Sequence, residues 1–252
     1  MRPKYMRYAL ISDIHGNATA LEAVLTDIEQ QTVDGVICLG DVATLGPQPI
    51  AVLERLMQLR CPCILGNHDE ALLNPTQAEA LNIPPHLHSS LDWGRQQLTP
   101  EHFDFLHTFT ATHAITLGPA AELLCFHGSP LSNIDLILAE TPTTEIDRLL
   151  AWQSAVIFAG GHTHFQLLRQ HRGQLIINPG SVGNVFLTPS LEANRPTLLP
   201  WAEYALVSWA EGVTSVNLRR VPFDVAAHLR IINQTDLPLN PWLREQYNRS
   251  LK

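Results

Sequence analysis

Residues 8–42 read YALISDIHGNATALEAVLTDIEQQTVDGVICLGDV, and this stretch decides the fold. Residues 8–12 are an apolar run of strand length. Residues 17–31 place Leu21, Val24, Leu25 and Ile28 at helical spacing. Residues 35–39 (GVICL) form the next strand-like run. Strand, helix and strand in this order predict parallel strands joined by a right-handed helical crossover. Asn17 reads as the cap of the first helix. Polar residues close each run: Asp13 and His15 after the first, Asp41 after the second.

The pattern extends outward from there. Residues 47–59 read as a helix with its prolines confined to the start, and residues 61–65 (CPCIL) as a third strand. Residues 70–110 lose the strand pattern. Within them 84–98 and 99–109 read as helices, the second with Thr99 as cap and Pro100 in the first turn. This predicts a helical insertion over the site. Strands follow at 113–117 and 122–127, then a helix from about 143 to 153 and a strand at 155–161. Residues 165–170, 174–180, 203–209 and 213–221 read as antiparallel strands, with tight turns at Gly173 and Gly212. A helical tail runs from about 224 to 252. No Ser/Gly linker, repeat or low-complexity tract divides the chain. The expectation is a single domain over 1–252, with two sheets packed together and helices outside.

The 252 residues are 45% hydrophobic and 16% charged, enough apolar material for a sizeable core and too little charge for a disordered chain. A net charge of −8 argues against routine binding to long nucleic acids. Small phosphorylated ligands stay open, because a metal site reverses the local field. The first apolar run stops at Ser12, and no run reaches ~18 apolar residues, so neither signal peptide nor membrane span is expected. Cys38, Cys61, Cys63 and Cys125 sit in apolar runs, and CPC is not a zinc spacing. They read as buried thiols of a reduced, cytoplasmic protein. The sequence leaves oligomer formation open.

Five polar clusters carry the chemistry: SDIHG (12–16), LGDV (39–42), LGNHDE (65–70), CFHGSP (125–130) and GGHTHF (160–165). Each follows an apolar run, and carboxyl ends of strands share a crevice in α/β sheets. Asp13, His15, Asp41, Asn67, His68, His127, His162 and His164 are therefore expected in one place. Asp13 and His15 are two apart, so a continuing strand would point both to one side. Carboxylate, imidazole and carboxamide together suit Mn, Fe, Co, Ni or Zn. Two divalent cations would relieve the repulsion between the aspartates, and one carboxylate can bridge them. Asp41 is the expected bridge, since it comes alone from a central strand after a glycine. Singly the clusters are weak: NHD also suits a helix N-cap, and HTH an ordinary strand. The other H-x-H, HLH at 86–88, lies in the insertion without acidic company and reads as surface histidines.

In the order D-x-H, G-D, G-N-H-D, H-G, G-H-T-H, the chain resembles the calcineurin-like metallophosphoesterase superfamily. LISDIHGN (10–17), CLGDVATLGPQP (38–49) and NPGSVG (178–183) resemble its small bacterial and archaeal phosphodiesterase-like branch. The likeness spans about residues 7 to 220. It implies an α/β fold, a four-layer αββα sandwich of two mixed β-sheets flanked by helices. It implies one metal on Asp13, His15 and His164, a second on Asn67, His127 and His162, and Asp41 bridging. His68 would face the substrate, and Asp69 would orient and charge-support His68.

Two divalent transition-metal ions (Mn, Fe, Ni, Co or Zn) would then activate a hydroxide for in-line attack on a small phosphorylated substrate. His68 would stabilise charge or protonate the leaving oxygen. Protein serine/threonine phosphatases and symmetrical dinucleoside tetraphosphatases carry GDxxDRG and GNHE. This chain has GDVATLG and GNHD, without that arginine, which favours phosphodiesters. NPGSVG is followed by NVF where many relatives have Pro and Arg. The alternatives are a phosphomonoesterase, nucleotide or protein phosphatase, or a non-catalytic scaffold like the retromer subunit of the same fold. Retention of every expected ligand counts against the scaffold.

Overall fold

The first strand, β1 (Met6–Ile11), is buried at Ala9, Leu10 and Ile11, as a strand covered on both faces must be. The computed structural model describes residues 5–151, 153–187 and 197–250. Helix α1 (Ala18–Glu29) carries the chain to β2 (Gly35–Cys38), which pairs parallel with β1. The predicted face of α1 is the buried one: Leu21, Val24, Leu25 and Ile28. Asn17 caps it, its side chain accepting from the Ala20 N–H at 3.0 Å. Helix α2 (Pro49–Leu59) starts at a proline and ends at Arg60 in the left-handed region.

The expected third strand at 61–65 shrinks to two single bridges, Cys38 to Cys63 and Ile64 to Thr110. Pro62 has no N–H to give a ladder, and only its carbonyl is used, by the Cys38 N–H at 3.0 Å. The chain then enters α3 (Asn67–Leu73) at once. The third polar cluster is therefore the first turn of a helix.

The strands form two sheets. The first has the order β2-β1-β8-β9, with β8 (Trp201–Ala210) antiparallel to both β1 and β9 (Val213–Pro222). The second has the order β3-β4-β5-β7-β6, from β3 (Thr112–Gly118), β4 (Ala121–Phe126), β5 (Ile157–Ala159), β6 (Leu167–His171) and β7 (Gln174–Asn178). The four late strands are thus two hairpins in different sheets, and β7 also pairs parallel with β5. Both turns have positive φ at their two central residues, Arg172-Gly173 and Glu211-Gly212. That is the type I′ geometry whose twist matches antiparallel strands.

Side-chain alternation shows the layers. On β1, Leu10 joins Leu123, Cys125, Ile157 and Ile177 in a core between the sheets. Ala9 and Ile11 face the other way, onto α1 and α2, with Leu21, Val24 and Leu53. On β4, Leu124 and Phe126 face outward to Ile146 and Leu149 of α6 (Thr143–Leu149). Helix, sheet, sheet and helix make the four-layer sandwich. Helix α6 stops short of the expected residue 153, and Ala151 turns left-handed.

The insertion contains α4 (His88–Gln97) and α5 (Pro100–Leu106), which pack Leu91 and Leu106 onto the α1/α2 core. The tail forms α7 (Val225–Ile232), capped by Asp224, and α8 (Asn240–Ser250). The last two residues of the expected tail lie outside the described residues. A separate cluster of Val225, Ile232, Leu237, Leu243 and Tyr247 seats these helices. Trp93 of α4 donates to Asp236 at 2.5 Å, joining insertion and tail. Among the described residues no helix is long and apolar enough to cross a membrane. Cys38, Cys63 and Cys125 are buried free thiols, and Cys61 is half-buried.

Candidate metal centre

The polar clusters meet where the two sheets open against each other. Asp13, His15 and Asp41 come from β1 and β2, and His127, His162 and His164 from β4 and β5 of the other sheet. The site therefore spans the sandwich, rather than lying along the edge of a single sheet. Backbone bonds stitch the loops together: Asp13 N–H to Gly40 O at 2.9 Å, His15 N–H to Asp41 O at 3.0 Å, and Gly161 N–H to His127 O at 2.8 Å.

The expectation that Asp13 and His15 share one side of a continuing strand is not met. β1 ends at Ile11, and both residues are left-handed, with φ of 53° and 46°. Asp41, His162 and His164 are left-handed as well, at 57°, 67° and 62°. Such a backbone costs an L-residue of order 1–3 kcal/mol and persists where surrounding bonds over-determine it. Asp13 shows how. Its Oδ2 accepts from Ser12 Oγ at 2.5 Å and from the His162 N–H at 3.1 Å, and its carbonyl accepts from Ser181 Oγ at 2.7 Å.

What those bonds leave free points inward. Donor atoms of Asp13, His15 and His164 all lie within 4.8 Å of one another, and so do those of Asp41, His127 and His162. Asp13 Oδ1, Asn67 Oδ1 and His127 Nε2 are buried without a hydrogen-bond partner. Asn67 spends its Nδ2 on Leu81 O at 2.9 Å, which turns the carboxamide oxygen to the centre. His127 Nδ1 faces Leu39 O at 2.6 Å, and His164 Nδ1 faces Asn184 O at 2.6 Å. A carbonyl only accepts, so each Nδ1 carries hydrogen and each Nε2 is left to face the centre. His164 Nε2 lies 3.1 Å from His15 Nε2 and 3.2 Å from Asp13 Oδ1.

Lone pairs and carboxylates crowded this closely need protons or cations between them. Protons distribute unevenly. Burial and the nearby His164 push His15 down to about 3. Burial also opposes charge on His127, but the Asp41 carboxylate, 3.3 Å away, outweighs it and raises the group to about 10. Divalent cations would satisfy the set without that unevenness. The donors fit borderline transition metals, and the backbone carbonyls behind His127 and His164 are the usual supports of ligating imidazoles.

His68 lies beside this set. Its N–H donates to Asp41 Oδ1 at 2.9 Å, and its ring stands edge-on to His15 with centroids 5.2 Å apart. Its Nδ1 has no partner, and the ring lines the cavity above the centre. Asp69 is not bonded to it, which corrects the expectation from sequence. The Asp69 carboxylate accepts from the Asp41 N–H at 2.7 Å, the Val42 N–H at 2.9 Å and the Gly66 N–H at 3.1 Å. As the third residue of α3 it is placed to reach back to the residue before the helix. It clamps the loop that carries Asp41. Burial, then the charge of Asp41, raises its pKa to about 7.

Other contributors escaped the sequence reading. Leu39 and Asn184 act through backbone carbonyls, which leave no trace in side-chain identity. His86 of HLH, expected on the open surface, is exposed yet lines the cavity, as do Phe186 and Trp242.

The chain resembles known proteins along most of its length. Residues 6–193 match the family model of the calcineurin-like phosphoesterase superfamily domain, and the chain belongs to that superfamily. An uncharacterized protein of Methanocaldococcus jannaschii, MJ0912, is 25% identical over 94% of this chain and 96% of its own. The crystal structure of a metallophosphoesterase from Sphaerobacter thermophilus is similar, with a TM-score of 0.70 at 24% identity, over 97% of this chain and 99% of that one. The hypothetical protein PH1004 from Pyrococcus horikoshii OT3 has a TM-score of 0.78 at 21% identity, over 95% and 96%. These two likenesses are of fold.

Proposed function

We propose that this superfamily member is a two-metal hydrolase of phosphodiesters. Asp13, His15 and His164 would hold one divalent cation and Asn67, His127 and His162 the other, with Asp41 placed to serve both. The observation that carries this reading is the inward set of unpartnered donors, Asp13 Oδ1, Asn67 Oδ1 and His127 Nε2. Buried polar atoms without partners are costly, and a fold keeps them together when a ligand satisfies them.

Two bound cations supply Lewis-acid stabilisation of phosphoryl oxygens and lower the pKa of water. The chain's residues do the rest. Left-handed loops fix the donors, and Asp69 fixes Asp41. Burial opposes a positive charge on His68, and its neutral imidazole N–H can donate a hydrogen bond to the ester oxygen as charge develops there. No side-chain nucleophile is needed: Ser12 Oγ is committed to Asp13, and Ser129 Oγ to Asp135 at 2.6 Å.

The preference for diesters rests on charge. No lysine or arginine lines the cavity among the described residues. A diester brings one negative charge and a monoester up to two, so this wall penalises monoesters more. The partner is a small phosphorylated molecule, and the free thiols support a reducing, cytoplasmic setting. Protein loaded with Mn or Ni should release nitrophenol from bis-p-nitrophenyl phosphate faster than from p-nitrophenyl phosphate. No turnover by folded protein with any of Mn, Fe, Co, Ni or Zn would sink the assignment.

A further inference from the structure

The cavity over the metal centre has a volume of about 770 Å³, far more than a phosphate needs and in the range of sites for much larger ligands. Its floor includes His15, Asp41, His68 and His164. Its outer part is of different chemistry. Leu45, Leu87, Phe186, Leu239 and Trp242 supply apolar walls, and Asn82, His86 and Glu245 supply polar groups.

The walls are built structure. Phe186 stacks on His164, with centroids 4.5 Å apart and planes 7° apart, so one aromatic face leads directly off the centre. Trp242 and Leu239 sit at the start of α8 and pack with Phe186 in the tail cluster. That cluster is pinned by Tyr247 Oη to Gly183 O at 3.0 Å and by Trp93 to Asp236. Gly183 adjoins Asn184, whose carbonyl orients His164. The family match ends at residue 193, so the α8 wall lies outside the matched domain.

We propose that this outer chamber is an ester-group subsite. It takes a flat, uncharged aromatic ring with hydrogen-bonding edge atoms, seated against Phe186 and Trp242. The aromatic walls hold the ring face, and the carboxamide of Asn82 and the imidazole of His86 are available to its edge, while Glu245 is paired with Arg249. The enzyme then selects phosphodiesters with one aromatic arm, and Trp242 is the residue that sets this specificity. The inference rests on reading the floor as a phosphoesterase centre.

The test uses three diesters with the same p-nitrophenolate leaving group, in which the second ester arm is methyl, phenyl or thymidine 5′. After correction for uncatalysed rates, kcat/KM for the phenyl and thymidine esters should exceed the methyl ester by about tenfold or more, chiefly through KM. Trp242→Ala should collapse that ratio, and Trp242→Phe should restore it. Equal values for the three esters, or an intact ratio in Trp242→Ala, would overturn the subsite.

Binding separates this inference from the hydrolase reading. Methylphosphonate and benzylphosphonate have no ester to cleave. Calorimetry on the manganese-loaded protein should find benzylphosphonate about tenfold tighter, with the difference lost in Trp242→Ala. Equal affinities would overturn the subsite. Absence of turnover alongside unequal affinities would overturn only the hydrolase reading.

Discussion

Asp69 accepts a 2.7 Å hydrogen bond from the backbone N–H of Asp41, a residue whose own backbone is left-handed at φ 57°. One carboxylate, delivered by the first turn of α3, thus sets the position of another delivered by the end of β2. Both Asp69 oxygens are used, Oδ1 by Val42 and Oδ2 by Asp41 and Gly66.

Asp69→Asn places an amide NH₂ against at least one of these backbone donors. Buried mismatches of this kind cost about 1–3 kcal/mol. The variant should unfold at lower temperature and bind less metal per chain, measured by elemental analysis. Full metal content with an altered pH–rate profile would instead favour a link between Asp69 and His68.

His68→Ala should lose about 10²- to 10⁴-fold in kcat while metal content stays at the wild-type level. The Asp41 contact survives, because it uses the His68 backbone N–H. Metal loss in this variant would make His68 a ligand.

Gly66→Ala should be among the most damaging small substitutions. A Cβ there would lie 2.1 Å from Asp41 Oδ1 and 2.5 Å from the Asp41 nitrogen. Backbone must move to relieve this, at about 1–3 kcal/mol or more, and Asp41 moves with it. Chemical denaturation and metal titration should both report the change. Wild-type values for both would refute the close approach.

His228 gives an acid-sensitive element in the helical tail, outside the set of candidate donors. It is 1% exposed, packs edge-on against Phe223 and Tyr247, and has no partner on Nδ1. Burial lowers its pKa to about 4. The unfolded chain takes up this proton near pH 6.5, before the folded chain does. Stability is therefore full above about 6.5 and falls as pH drops towards 4, by about 3 kcal/mol in all. Urea titrations across this window should show a smaller loss in His228→Leu. Equal slopes would mean the histidine charges within the fold.

Much of the architecture was legible because periodicity survives in this sequence. The Leu21, Val24, Leu25 and Ile28 stripe, the apolar runs at 8–12 and 122–127, and the glycines at 173 and 212 each encode local geometry. The donor residues were legible for a different reason: carboxylates and imidazoles rarely gather at the ends of apolar runs. The reading failed where backbone decides. Pro62 turns an apolar run into isolated bridges. Asp13 and His15 converge through left-handed turns that non-glycine residues do not advertise. Asp69 looked like a partner for its neighbour His68, but on the first helical turn it reaches back along the chain instead. Trp242 is far from every polar cluster in sequence, and only the packing of α8 brings it to the cavity.

Because the centre straddles both sheets, it cannot assemble until one sheet meets the other. His15 and His164 are separated by 149 positions yet stand within 3.1 Å. A nascent chain that ends before β4 already holds Asp13, His15, Asp41 and Asn67, but none of the three histidines from the second sheet. It can complete neither group of three. Contacts this distant in sequence form slowly, since chain entropy must be spent before they contribute. On the two-cation reading, metal uptake would therefore work as a checkpoint: a chain holding its cations would have one sheet docked on the other.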